Sequence, residues 1–192
     1  MNPEVRKKLI TKILKQKGIV VWLTGLPGSG KSTLAQALEE RLLAVGKLTC
    51  VLDGDIVRSG LNSDLGFSDS DRNENIRRVA EVSAILKETS VIAIVAFISP
   101  FIKMREFARN KAGSGNFVEV YVKASLETCI ERDPKGMYKK AIDEQLLEFT
   151  GITSAYEKPP HPELVIDTEK LSVTEAVEIL LKEVLKYSDT KE

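Results

Sequence analysis

Histidine occurs once in the 192 residues and cysteine twice, and the two cysteines stand far apart at positions 50 and 129. Neither sits in a CxxC or CxxH spacing, so neither a zinc site nor a disulfide framework organises this chain. Cys50 and Cys129 are expected as buried, reduced thiols of a cytoplasmic protein. The lone His161 lies in the proline-rich "PPHPEL" and is expected to be structural, not a general base. An excess of one charge is also lacking: Lys plus Arg and Asp plus Glu both number 28. A global field that would hold nucleic acid or an acidic membrane is thereby excluded, and any anionic ligand must be met by placed residues. No run reaches membrane-span length, and the basic N-terminus is not followed by a signal-peptide core. Repeats and low-complexity segments are absent.

What is present reads as one ordinary globular domain, with 43% hydrophobic and 29% charged residues. Five β-rich runs, at 19–24, 48–52, 91–97, 117–122 and 163–166, are almost continuously apolar, as strands buried on both faces are. Helical patterns fill 31–45, 72–88, 101–112, 125–132 and 172–187 between and after them. Gly46 stands where a helix C-cap falls, and Ser125 and Ser172 where N-caps fall. This alternation predicts a doubly wound α/β fold, a parallel five-stranded sheet flanked by helices. Residues 1–17 form an amphipathic helix whose Val5, Leu9, Ile10, Ile13 and Leu14 are expected to dock on the domain. Residues 188–192 are expected to fray. Ligands bind beyond the carboxyl ends of such strands, which points to the loops 25–32, 53–71, 98–100 and 133–160.

The first of these loops carries Gly25, Leu26, Pro27, Gly28, Ser29, Gly30, Lys31, Ser32 and Thr33, and fits G-x-x-x-x-G-K-[ST] between a strand and a helix. Glycines let successive backbone N–H groups converge on an anion, and the helix N-terminus adds its dipole. In such a phosphate loop Lys31 reaches the β- and γ-phosphates of ATP and the Ser32 hydroxyl ligates Mg²⁺. A GTPase would need a base-reading NKxD segment, and a motor ATPase an apolar strand ending in Asp-Glu. Neither is found. A small-molecule kinase with a lid at 133–160 remains.

The second loop, "LDGDIVRSGLNSDLGFSDSDRNENIRRVAEV", places Asp53 and Asp55 at a strand end, on the same side. Two carboxylates there would take up a Mg²⁺-bound water or a hydroxyl proton. Arg58 and Arg72 supply cations in a chain that is otherwise neutral, and Asn75 shares a helix face with Arg72. In "FISP", Ser99 follows a strand and precedes a helix, so an N-cap role competes with contact to the acceptor.

Together "GLPGSGKSTLA", "LDGD..R.GLN.DLGFS..DR.ENIRRVAEV", "VAFISP", "ERDPKGMYKKA" and "FTGITSAYE" resemble the adenylyl-sulfate (APS) kinases, over about residues 18 to 170. The resemblance implies a single kinase domain of the P-loop NTPase, nucleotide-kinase-like fold. It also implies transfer of the ATP γ-phosphate to the 3′-hydroxyl of adenosine 5′-phosphosulfate (APS), giving 3′-phosphoadenylyl sulfate (PAPS) in sulfate assimilation. Asp53, Asp55, Arg58, Phe67, Arg72, Asn75, Ile98 and Ser99 resemble that family's acceptor residues, and Lys135 and Phe149 its lid residues. Phe67 and Phe149 are expected to sandwich the adenine. Lys31, Asp55 and Ser99 carry catalysis, Ser32 holds Mg²⁺ with Asp53 or Asp55 acting through water, and transfer is direct rather than through a phosphoserine. A homodimer and a functional link to ATP sulfurylase follow from the same resemblance. Ile56, Ser59 and Ala155 depart from the family pattern, where Asn, His and Pro are usual, and the N-terminal "WH" is missing. The alternatives are another kinase of a nucleotide or polyol hydroxyl, or a silent ATP- or PAPS-binding module.

Overall fold

Strand β1 (Ile19–Thr24) shows how the sheet organises everything else, since all six of its residues are buried. Its side chains alternate between two faces. Ile19, Val21 and Leu23 join one hydrophobic cluster, and Val20 and Trp22 join another. The structure, a computed structural model, describes residues 2–143 and 148–190. Strands β2 (Thr49–Asp53), β3 (Ile92–Ala96), β4 (Phe117–Lys123) and β5 (Leu164–Asp167) complete a parallel sheet in the order β2-β3-β1-β4-β5. The chain order reverses around β1, so a crevice opens at the carboxyl ends of β1 and its neighbours.

Helices α2 (Lys31–Ala44) and α8 (Val173–Ser188) cover the first face, where Leu34, Leu38, Leu42 and Leu180 meet β1. Each fully buried leucine of this kind contributes about 1.5–3 kcal/mol. Helices α4 (Asp69–Glu88) and α5 (Ile102–Ala112) cover the other, through Ile76, Val79, Met104 and Ala108. A third cluster, around Cys129, Tyr138 and Phe149, lies beneath α6 (Leu126–Arg132) and α7 (Met137–Ile142). Ser125 caps α6, Ser172 and Glu175 form a capping box on α8, and Gly46 takes a positive φ just beyond α2.

Several expectations need correction. Helix α1 (Pro3–Leu14) forms but buries none of its residues. Val5, Leu9 and Ile13 are exposed, Ile13 by 76%, and only Ile10 and Leu14 are half-buried. Polar side chains make the attachment instead: Lys7 pairs with Glu88, Thr11 bonds Ser90, and the buried Gln16 side chain bonds Leu48 and Ser90. The expected fray does not hold at residue 188. Helix α8 reaches the buried Ser188, whose carbonyl accepts from the Lys17 N–H, and Asp189 bridges to Gln16. Residues 191 and 192 lie outside the described residues, as do 144–147 of the lid. The segment 53–71 holds a short helix, α3 (Gly54–Ser59), capped by Asp53, and α4 starts three residues early because Ser68 caps it. Within 133–160, α7 forms because the Asp133 carboxylate accepts from the N–H groups of Met137, Tyr138 and Lys139. Ser99 is not an N-cap, a position that Phe101 takes on α5. Cys129 is buried as expected, but Cys50 is only half-buried.

Candidate active site

Between β1 and α2 the chain turns through a loop that tolerates side chains poorly. A Cβ on Gly25 would lie 2.4 Å from the Val122 carbonyl oxygen, and Gly30 holds φ 101° at the N-cap of α2. The loop is braced from outside itself: Tyr138 Oη donates to the Pro27 carbonyl at 2.9 Å and Thr168 Oγ1 to that of Ser29 at 3.1 Å. Lys31 folds back into it, donating to the carbonyls of Gly25 at 3.0 Å and Leu26 at 2.7 Å. Burial pushes the Lys31 amine down to about 8, with the charges of Cys129 and Asp53 acting the other way.

Beside the loop, Ser32 Oγ donates to Asp53 Oδ2 at 2.6 Å, while Asp53 Oδ1 accepts from the Asp55 N–H at 2.9 Å. A hydroxyl next to a carboxylate is an oxygen pair that suits a hard cation. Among the described residues no group of three acidic, His or Cys side chains could hold a metal alone. That is the sparse protein donor set that Mg²⁺ uses when phosphate and water fill the rest. Asp53 and Asp55 divide sharply, for Asp53 is 7% exposed and the Asp55 side chain 69%. Asp55 meets Lys135 from the α6–α7 turn in an ion pair that bridges the cleft.

Farther along, Arg58 stacks on Phe67 with its guanidinium carbon 4.5 Å from the ring centroid, and donates to the Gly66 carbonyl at 3.0 Å. Burial and the neighbouring Arg72 charge both pull the Arg58 pKa down. Arg72 is buried, and each of its three guanidinium nitrogens makes one hydrogen bond within the protein, leaving one N–H on each Nη. It donates to the carbonyls of Phe67 at 2.8 Å and Glu148 at 2.9 Å, and to Thr150 Oγ1 at 3.3 Å. Asn75 Oδ1 accepts from Asn62, a fully buried residue. Ile98 accepts from Thr24 through its carbonyl. Ser99 is buried with φ 39°, and its Oγ accepts from Trp22 Nε1 at 3.0 Å.

One cleft of about 1390 Å³ joins these parts. Pro27, Gly28, Gly30, Lys31, Ser32 and Thr33 line its donor end, and Asp53, Asp55, Arg58, Phe67, Arg72, Asn75, Ile98, Ser99, Lys135 and Phe149 the rest. Gly25, Leu26 and Ser29 do not line it and act as the frame of the loop. The two phenylalanines differ. Phe67 is 60% exposed, whereas Phe149 is nearly buried, edge-on to Tyr138 at 4.9 Å. The sequence reading missed Trp22, Asn62, Tyr138, Thr150 and Thr168, whose partners lie from 13 to 139 residues away in the chain. Asn62, Tyr138 and Thr150 did carry a signal, standing in the blocks "GLN", "ERDPKGMYKKA" and "FTGITSAYE", but none was singled out.

A doubly wound sheet with a phosphate loop, a Ser–Asp pair and an arginine-lined second lobe defines a phosphate-loop kinase of small molecules. A family model described as adenylylsulphate kinase matches residues 17–167. The probable adenylyl-sulfate kinase of Halalkalibacterium halodurans is 53% identical over 174 residues, 91% of this chain and 86% of that protein. The adenylyl-sulfate kinase of Clostridium acetobutylicum is 50% identical over 179 residues, 93% of this chain and 89% of that protein. Among solved structures, the APS kinase of Mycobacterium tuberculosis in complex with AMPPNP and APS aligns with a TM-score of 0.84 at 42% identity. It covers 88% of this chain and 98% of that one. The chain belongs to the adenylylsulphate kinase family. The family model's match begins after α1 and ends before α8.

Proposed function

We propose that this cleft transfers the γ-phosphoryl group of ATP to the 3′-hydroxyl of APS, giving PAPS and ADP. The observation that carries the reading is one continuous cleft, with the phosphate loop at one end, the Arg58–Arg72 segment at the other and Asp53 and Asp55 between.

Phosphoryl transfer needs positioning and charge stabilisation more than covalent help. Lys31 exchanges the Gly25 and Leu26 carbonyls for the β- and γ-phosphates. Ser32 and Asp53 would hold Mg²⁺, which neutralises charge on the phosphates when bound. Asp55 accepts the proton of the 3′-hydroxyl as its oxygen bonds to the γ-phosphorus and the bond to the β-bridging oxygen breaks. Its exposure gives it a route to pass that proton to water. Lys135, paired with Asp55 across the cleft, closes the mouth and helps exclude water as a competing acceptor. Arg58, Arg72 and Asn75 orient APS, with Phe67 as the stacking face. Phe149 forms the floor beneath it, with Ile98 and Ser99 on the adjoining wall. Ser99 Oγ, buried and bonded to Trp22, favours a positioning role and direct transfer over a phosphoserine intermediate.

Incubation with ATP, Mg²⁺ and a panel of APS, gluconate and nucleoside monophosphates, followed by ADP release, tests the reading. Release with APS alone is expected, and a preference for another acceptor refutes it. ATP sulfurylase is the activity that supplies APS, so a functional partnership with it is the reading we favour. The exposed Val5, Leu9 and Ile13 of α1 support self-association as a homodimer, to be measured by light scattering on the intact chain. ATP as donor and two free cysteines favour the cytoplasm. Among the described residues no helix is long and apolar enough to cross a membrane.

A further inference from the structure

Behind the wall of the cleft, on the side away from the phosphate loop, lies a buried ion pair that the mechanism above does not use. Arg105 of α5 is 2% exposed and Glu119 of β4 is 6% exposed, with Arg105 Nε donating to Glu119 Oε1 at 2.8 Å. Arg109 donates to the other oxygen of Glu119 at 3.2 Å, and is itself held by both oxygens of Glu163 at 2.6 and 2.8 Å. The Glu119 carboxylate is therefore held at both oxygens. A buried ion pair is a weak reason for stability, because well-packed apolar groups in its place are often as good or better. What it does supply is a rigid, planar fork of donors fixed in one orientation.

The two free ends of that fork reach two different segments. Nη1 donates to the Ser99 carbonyl at 2.6 Å, and Nη2 to the Glu157 carbonyl at 2.7 Å. Ser99 is one of three non-glycine residues with a positive φ among those described, a strained conformation that persists only where surroundings over-determine it. Here they do: Trp22 holds its hydroxyl, Arg105 its carbonyl, and Thr24 the carbonyl of Ile98 just before it. The Glu157 segment is laced to the same turn. Its N–H donates to Pro100, its carboxylate accepts from the Ile102 N–H, and Tyr156 Oη meets Thr24 at 3.0 Å. Because the single Thr24 hydroxyl hydrogen goes to Ile98, Tyr156 is the donor in that pair. Ile98, Ser99 and Pro100 line the cleft, whereas Arg105 and Glu119 do not.

We infer that Arg105 is a positioning residue for the transfer, holding the Ser99 turn and the Tyr156–Glu157 strap in one fixed relation and so setting how the acceptor lies against the phosphate loop. It acts through those backbone groups and touches neither substrate. The strap is the C-terminal anchor of the lid segment, so the same guanidinium ties lid and acceptor wall together. This inference rests on the proposed use of APS at that wall.

Arg105→Lys keeps a charge opposite Glu119 but loses the planar fork, so it cannot hold both carbonyls. In a folded variant, with a far-ultraviolet spectrum like wild type, the KM for APS should rise about tenfold or more while the KM for ATP stays within about twofold. Trp22→Phe removes the second hold on Ser99 and should give the same split, smaller in size. Equal changes in the two KM values, or none, in folded Arg105→Lys would overturn the inference. Should that variant not fold, an unchanged APS KM in Trp22→Phe overturns it instead. Failure of the functional reading is told apart by the wild type, which would then not use APS at all; the same split is then measured with the acceptor it does use.

Discussion

Replacing the Lys31 amine tests the phosphate loop through protons rather than turnover. Without nucleotide, burial holds this amine at about 8, against 10.5 for an ordinary lysine, and its hydrogens go to the Gly25 and Leu26 carbonyls. A bound triphosphate adds negative charge beside it and raises that value, so ATP binding must draw in a proton wherever the free amine is neutral. The sign is fixed: uptake, never release. With the bound amine fully charged, uptake is about a tenth of a proton at pH 7, about half at pH 8 and about nine-tenths at pH 9. ATP affinity should fall about tenfold per pH unit above 8, or about 1.4 kcal/mol per unit. The assay is calorimetric titration of Mg-ATP in pairs of buffers with different ionisation heats, on wild type and Lys31→Met. The methionine variant should show no rise in uptake with pH. Equal uptake by the two proteins at pH 9 would refute the assignment of Lys31 as the phosphate-facing cation. The same depressed value bears on folding. Between about 8 and 10.5 the unfolded chain binds the extra proton, so this lysine's destabilising contribution is relieved as pH rises through that window.

Asp55→Asn should cut kcat by about 10²–10⁴-fold with a near-normal melting temperature, since its side chain is exposed, and single-turnover rates compare it directly with Asp53→Asn. A dead Asp53→Asn beside a near-normal Asp55→Asn would reverse the two assignments. Phe149→Ala removes a buried ring packed on Tyr138 and should cost about 3–5 kcal/mol in urea unfolding, whereas the exposed Phe67→Ala should leave stability unchanged and raise only the APS KM. Arg72→Ala deletes the donors to Glu148, Thr150 and Phe67 and should lower kcat/KM for APS about 10- to 100-fold while ATP binding holds; equal losses for both substrates would indicate general misfolding.

The sheet was legible because its signal is local. Each strand is a short apolar run, and the phosphate loop sits between one such run and a helix. The acceptor block was legible for the same reason, as one contiguous stretch. Other features had no local signal to read. Arg105 and Glu119 are fourteen residues apart on different elements, and nothing in either neighbourhood marks the pair. The Arg72 contacts to 148 and 150 exist only once the lid has folded back. Helix α1 showed the right periodicity, but periodicity gives a face and not what covers it. Its attachment runs through Lys7, Thr11 and Gln16, residues that a hydrophobic pattern counts as solvent-facing. Helix α7 was hidden because Asp133, a poor helix former by itself, nucleates it from outside.

Among the ties that hold the lid, Tyr138 hooks it to the Pro27 carbonyl on the donor side and Arg72 hooks Glu148 and Thr150 on the acceptor side. Such a tether makes the occupancies of the two substrate sites thermodynamically linked, and linkage is reciprocal. Whatever factor bound ATP imposes on the affinity for APS, bound APS imposes on the affinity for ATP. A change at either hook alters that shared factor, which is read only when both substrates are present, and leaves the binding of the other substrate alone as it was.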